Sequence, residues 1–324
     1  MSTAKIAESR FEPAWWVPGP HLQTVFPYLF RRKPDIDLQS QRLELIDGDF
    51  VDLCWNNVST GPIVVIFHGL EGSINSPYAS GLMSTLEKSG IRCVLMHFRG
   101  CSGESNRLDR SYHSGDTGDI GFLMDFLSRD YPDTQIFAVG FSLGGNALLK
   151  YLGESASNTP VTAAIAVSVP YLLYDCAVRL SSGLSKLYQW WLIKSLKNKI
   201  RDKYSTRESP VNLADLDELN TFYKFDDKIT SPLNGFKNAD DYYEKSSCRQ
   251  YLATVSVPTL LIHATNDPFM TPSIIPDKNE LSPTTQLELS DKGGHVGFIS
   301  GKVPWQPEYW LEKRIIEFIS SKIT

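Results

Sequence analysis

The chain has 324 residues, 42% of them hydrophobic and 21% charged, with a net charge of −5. That length supports one large α/β core or two small ones, and the acidic balance argues against general nucleic-acid binding, which needs a basic surface. Five scattered cysteines (Cys54, Cys93, Cys101, Cys176 and Cys248) lack C-x-x-C spacing and fit reduced thiols in a cytoplasmic protein, not a zinc site.

The opening stretch MSTAKIAESRFEP has no apolar centre of the kind a secretory signal carries. No apolar run in the chain approaches the ~20 residues of a membrane span. Residues 41–56, QRLELIDGDFVDLCWN, alternate around a D-G turn and predict an antiparallel hairpin. The apolar run at 62–69 then predicts a buried strand, 76–90 an amphipathic helix, 91–100 a second strand and 115–130 a second helix. TQIFAVGF predicts a strand ending just before Ser142, LGGNALLKYLGE a helix starting just after it, and 161–170 a further strand. The rhythm breaks over 171–249, which is richer in Tyr, Trp, Lys and Asp and reads as mostly helical. Strands resume at 257–267 and 285–295, followed by a final helix within 307–323. Nearly continuous apolar strands alternating with helices predict a mostly parallel sheet covered on both faces. The expected organisation is a core over 1–170, a helical insertion over 171–249 and a second part of the core over 250–324.

The stretch AVGFSLGGNAL places Ser142 between a strand and a helix, with Gly140 and Gly144 as the small neighbours that a sharp turn requires. Such a turn lifts the hydroxyl out of the sheet, and the helix N-terminus behind it favours developing negative charge. A serine hydroxyl is a weak nucleophile without a base, and the base needs a carboxylate to orient it. Asp267 follows the strand TLLIHATN, and His295 lies in a G-G-H-V-G-F loop after QLELS, so the order Ser, acid, His matches elbow-type hydrolases. The expected catalytic residues are therefore Ser142, Asp267 and His295, with Asp291 as the rival acid. The backbone N–H groups of Leu143 and of Leu70, in the loop HGLEGS, are the expected donors to an oxyanion. His68 reads as a brace for that loop, and His97 and His263 as satisfied core residues. No metal or cofactor is expected, because no His/Cys/Asp/Glu cluster has ligand spacing.

With HGLEGS, FRGCSGE, GFSLGGN, the late Asp and GGHVGF in this order, the chain resembles the α/β-hydrolase fold. The motifs PGPHLQT (18–24), HFRGCSGESN (97–106), SYHSGDTGDI (111–120), PLNGFKNADDYY (232–243) and GGHVGF (293–298) make it similar, more narrowly, to the YheT family of esterase-like hydrolases. The resemblance implies a serine esterase with its triad on Ser142, Asp267 and His295, acting on a small-molecule ester. It also implies that 171–249 is a cap over the active site. Transfer of the acyl group to an alcohol or thiol, thioester cleavage, or ligand binding on an inactive hydrolase scaffold are the alternatives. Within the cap, 184–203 has an apolar–aromatic side expected to pack inward or line the acyl pocket, with lying on a membrane surface as the alternative. Nothing in the sequence sets an oligomeric state.

Overall fold

The computed structural model describes residues 4–323. Residues 1–3 and 324, which belong to the two expected core parts, lie outside them. The chain begins with β1 (Lys5–Glu8), a short strand at the sheet edge, and α1 (Gly19–Phe30). The D-G turn joins β2 (Gln39–Glu44) to β3 (Phe50–Trp55) as an antiparallel pair, Leu43 facing Val51. Then come β4 (Ile63–Phe67), α2 (Pro77–Lys88), β5 (Arg92–His97), α3 (Gly118–Asp130), β6 (Ile136–Phe141), α4 (Leu143–Ser155) and β7 (Val161–Val167). After a long helical segment, β8 (Thr259–Ala264), β9 (Thr285–Ser290) and the terminal helix (Trp310–Ser320) complete the core.

The nine-stranded sheet has the order β1-β9-β8-β7-β6-β4-β5-β3-β2, and only β3 runs opposite to the other strands. Its centre follows directly from sequence: every residue of β4, β6 and β8 is buried. Successive side chains point to opposite faces, so these strands feed two separate apolar layers. One layer packs Val65, Met96 and Ala138 against Leu123 and Leu148, and the other packs Val64, Ile66 and Val139 against Leu82 and Ile315. The run from α3 to the hairpin is also tied by Arg99, whose guanidinium makes two 2.7 Å bonds to Asp119 and one of 3.0 Å to Asp49.

Between β7 and β8 the chain contains helices and loops: α5 (Leu173–Leu180), α6 (Ser185–Lys203), α7 (Phe222–Phe225), α8 (Ser231–Leu233) and α9 (Ala239–Ser246). A π-helical turn, Asp226–Thr230, joins α7 to α8. These elements have their own apolar cluster around Leu192, Ile200, Phe225 and Tyr243. The expectation that the apolar–aromatic side of 184–203 turns inward holds for Leu192, Leu196 and Ile200, which line a cavity that Ser142 also borders. It fails for Trp190 and Trp191, which are 61% and 56% exposed, and for Leu187. The reason is helical phase: positions 187, 190 and 191 share the face opposite 192, 196 and 200. No helix among the described residues is long and apolar enough to cross a membrane.

His263, near the end of β8, departs from the expected satisfied core residue. It is fully buried, yet its Nδ1 has no partner among the described residues. Burial pushes its pKa down to about 4, only partly opposed by Asp267. The unfolded chain therefore takes up a proton near pH 6.5 that the native state refuses until near pH 4, so acid favours unfolding through this residue. Wild type should lose about 2 kcal/mol relative to His263→Gln between pH 7.5 and pH 5, measured by urea denaturation. Parallel stability profiles for the two proteins would mean that His263 titrates alike in both states.

Candidate active site

Ser142 stands between β6 and α4 with φ 50° and ψ −116°, a backbone region that non-glycine residues rarely occupy. The turn closes because Gly144 has no side chain: a β-carbon there would lie 2.5 Å from the carbonyl oxygens of Phe67 and His68. This close approach sets the first turn of α4 against the end of β4, so the loop after β4 borders the serine. The backbone of Ser142 is held on the other side by its N–H donating to the Val167 carbonyl at 2.9 Å.

The structure brings the three expected side chains into one hydrogen-bonded chain. His295 Nε2 lies 3.0 Å from Ser142 Oγ, and His295 Nδ1 lies 2.7 Å from Asp267 Oδ2. A carboxylate accepts and does not donate, so the proton sits on Nδ1 and leaves Nε2 as an acceptor toward the serine. Asp267 is buried at the end of β8, and its other oxygen accepts the Phe269 N–H at 2.8 Å, which fixes the carboxylate plane. Asp291 is exposed and makes no hydrogen bond to His295. Phe269 stacks on the imidazole at 4.0 Å between centroids, with the rings 6° from parallel, and limits its rotation.

The loop that carries His295 rests on α1, whose start holds the motif PGPHLQT. Thr24 Oγ1 accepts the His295 N–H at 2.9 Å, and a β-carbon at Gly294 would meet the Pro20 carbonyl at 2.5 Å. From the same helix, His21 Nδ1 pairs with the Tyr188 hydroxyl at 3.0 Å. Tyr188 in turn packs on Phe269, so His21 reaches the histidine only through two intervening rings.

His68 is buried, with Nδ1 donating to its neighbour Gly69 at 2.7 Å and Nε2 accepting the Phe98 N–H at 3.1 Å. Burial pushes its pKa down to about 3. It is thus a neutral brace under HGLEGS, and His97 is satisfied in the same way by Ile74 and Asp52. The N–H groups of Leu70 and Leu143 have no acceptor among the described residues, and both residues border the cavity onto which Ser142 opens. That cavity, of about 140 Å³, is walled mostly by aliphatic and aromatic side chains.

The residue next to Leu70 is one whose role the sequence did not reveal. Glu71 has φ 55°, and its buried carboxylate accepts from Tyr112 Oη at 2.7 Å, Ser195 Oγ at 2.7 Å and Lys199 Nζ at 2.6 Å. Its own N–H donates to the Tyr112 hydroxyl at 2.9 Å. Two of these partners come from α6, so one side chain joins the helical segment to the loop beside the serine. The only trace in the sequence is an acidic residue inside HGLEGS, which has no local partner.

No group of three or more metal-ligating side chains occurs among the described residues. Residues 62–302 match the family model described as alpha/beta hydrolase fold. The chain is 44% identical to YheT of Escherichia coli (strain K12), a protein provisionally named an esterase, over 93% of this chain and 90% of that one. It is 27% identical to the phospholipase ABHD3 of Mus musculus, over 98% and 80% of the two chains. A Pyrococcus furiosus esterase structure superposes with a TM-score of 0.60 at 16% identity, over 99% of this chain and all of that one, a likeness of fold.

Glu71→Gln keeps the side chain's size and removes the charge that holds Ser195 and Lys199. It should lower kcat on a chromogenic ester at least about tenfold, with KM changed less than about threefold, since a shift of the loop bordering Ser142 disturbs the reacting geometry more than the apolar binding wall. An unchanged kcat in a folded variant would show that Glu71 does not position the loop.

Proposed function

The chain belongs to the alpha/beta hydrolase family, in its YheT-like branch, and from that premise we propose that it is a serine carboxylester hydrolase working through Ser142, His295 and Asp267. The observation that supports this reading best is the continuous chain Ser142 Oγ–His295 Nε2 and His295 Nδ1–Asp267 Oδ2 at 3.0 and 2.7 Å, set at the wall of an apolar cavity. In the proposed reaction His295 Nε2 removes the Ser142 proton as Oγ attacks the ester carbonyl. Negative charge develops on the carbonyl oxygen, where the N–H groups of Leu70 and Leu143 and the N-terminus of α4 oppose it. His295 then returns the proton to the departing alkoxide, leaving an ester on Ser142. Water, activated by the same imidazole, releases the acid. Asp267 holds the tautomer that keeps Nε2 free and stabilises the imidazolium formed in each half-reaction.

The mostly hydrocarbon wall suits short- to medium-chain acyl groups or lipid-like esters, since apolar surface leaving water is stabilised by about 25 cal/mol per Å². The helices over 171–249 act in this reading as the cap that encloses the acyl group. Transfer to an added alcohol would use the same acyl-enzyme and would appear as a new ester among the products.

A p-nitrophenyl ester series of increasing acyl length tests the reading. Ser142→Ala should remain folded and lose about 10⁴–10⁶ in turnover on the preferred member. Asp267→Asn should lose up to about 10⁴ through the wrong imidazole tautomer, whereas Asp291→Asn should stay near wild type. Activity in folded Ser142→Ala, or a collapse confined to Asp291→Asn, would overturn the assignment.

A further inference from the structure

The wall of the Ser142 cavity contains one charged group that no cation balances. Asp226 is only 8% exposed and begins the π-helical turn between α7 and α8. Its two oxygens accept from Thr230 Oγ1 at 2.6 Å and Tyr243 Oη at 2.7 Å. Hydroxyls solvate a carboxylate but do not neutralise it, and an unpaired buried charge is costly unless something else meets it. Burial pushes its pKa up to about 6, so the group is ionised at neutral pH and above. The other titratable groups of the wall do not supply the missing charge. Lys199 is committed to Glu71 at 2.6 Å, and burial pushes His113 down to about 3, leaving it neutral. π-Helical turns interrupt the regular hydrogen-bond ladder and are found often at functional sites.

The surroundings of Asp226 are aromatic. Phe222, Phe225, Tyr242 and Tyr243 line the same cavity, and their ring faces carry negative quadrupole potential. A carboxylate in a wall of such rings, with no cation beside it, attracts a cation and repels an anion. Ammonium groups whose substituents are bulky and weakly hydrated fit such a cage best.

We propose that Asp226 and the rings around it form an ammonium subsite in the cavity, so that the preferred esters carry a quaternary or protonated amine away from the scissile carbonyl. This inference rests on the cavity's being the ester site described above and adds the substrate class that the site selects. The cation lies against the carboxylate without any covalent step, and the remaining hydrocarbon of the substrate fills the apolar wall between Asp226 and Ser142.

Binding to the Ser142→Ala protein separates this inference from the hydrolase reading, because it needs no nucleophile. Hexyltrimethylammonium and hexanesulfonate, alike in chain and opposite in charge, are titrated calorimetrically into Ser142→Ala and into Ser142→Ala/Asp226→Asn. The cation should bind Ser142→Ala at least about tenfold more tightly than the sulfonate, and Asp226→Asn should remove most of that difference. Equal binding of the two ions to Ser142→Ala would overturn the subsite even if the double variant did not fold, and so would cation affinity unchanged by a folded Asp226→Asn. If the wild-type protein cleaves esters while the variants give either result, the hydrolase reading stands and the subsite alone is refuted.

Discussion

The backbone at Ser142 is the constraint on which the site depends. A left-handed φ at a serine stores strain, and it persists because the two ends of the turn are fixed independently. The buried β6 strand holds one end, and the contact of Gly144 with Phe67 and His68 holds the other. With the turn closed, the serine hydroxyl faces the loop carrying His295, the N-terminus of α4 points at the same space, and HGLEGS is brought alongside. A side chain at residue 144 would push α4 from β4 and disturb all three relations together.

Around that turn, support comes from parts of the chain far away in sequence. α1 holds the His295 backbone through Thr24, α6 holds the Leu70–Glu71 loop through Ser195 and Lys199, and Phe269 covers the imidazole. The helical segment is therefore joined to the core by buried hydrogen bonds beside the serine as well as by apolar packing. The exposed Trp190 and Trp191 lie on the outer face of the same helix, so whatever meets that face meets an element hydrogen-bonded to the loop of Leu70 and Glu71.

The fold was largely legible in the sequence because its central strands are buried on both faces and read as unbroken apolar runs. The serine turn was legible because strand, glycines and helix are adjacent in the chain, and Asp267 and His295 because each follows a strand. β1 was not: four residues at a sheet edge, mostly exposed, carry no hydrophobic pattern. α1 was hidden by three prolines at 18, 20 and 27, which argue against a helix until the first two are seen at its start. Glu71, Asp226 and the unsatisfied Nδ1 of His263 were illegible for a different reason. Their meaning lies in partners, or missing partners, more than 15 residues away or in the cavity itself, and no local pattern encodes those. The inward assignment of the tryptophans on α6 failed because both faces of that helix are apolar in its first half, so periodicity did not choose between them.

Labelling with a fluorophosphonate tests the central claim most directly, since the reagent phosphonylates a serine only when a neighbouring base and oxyanion donors activate it. One equivalent should attach, with loss of fluoride, and peptide mapping should place it on Ser142. The rate should collapse in His295→Ala. Labelling at another residue, or an unchanged rate in His295→Ala, would contradict a nucleophilic Ser142 driven by His295.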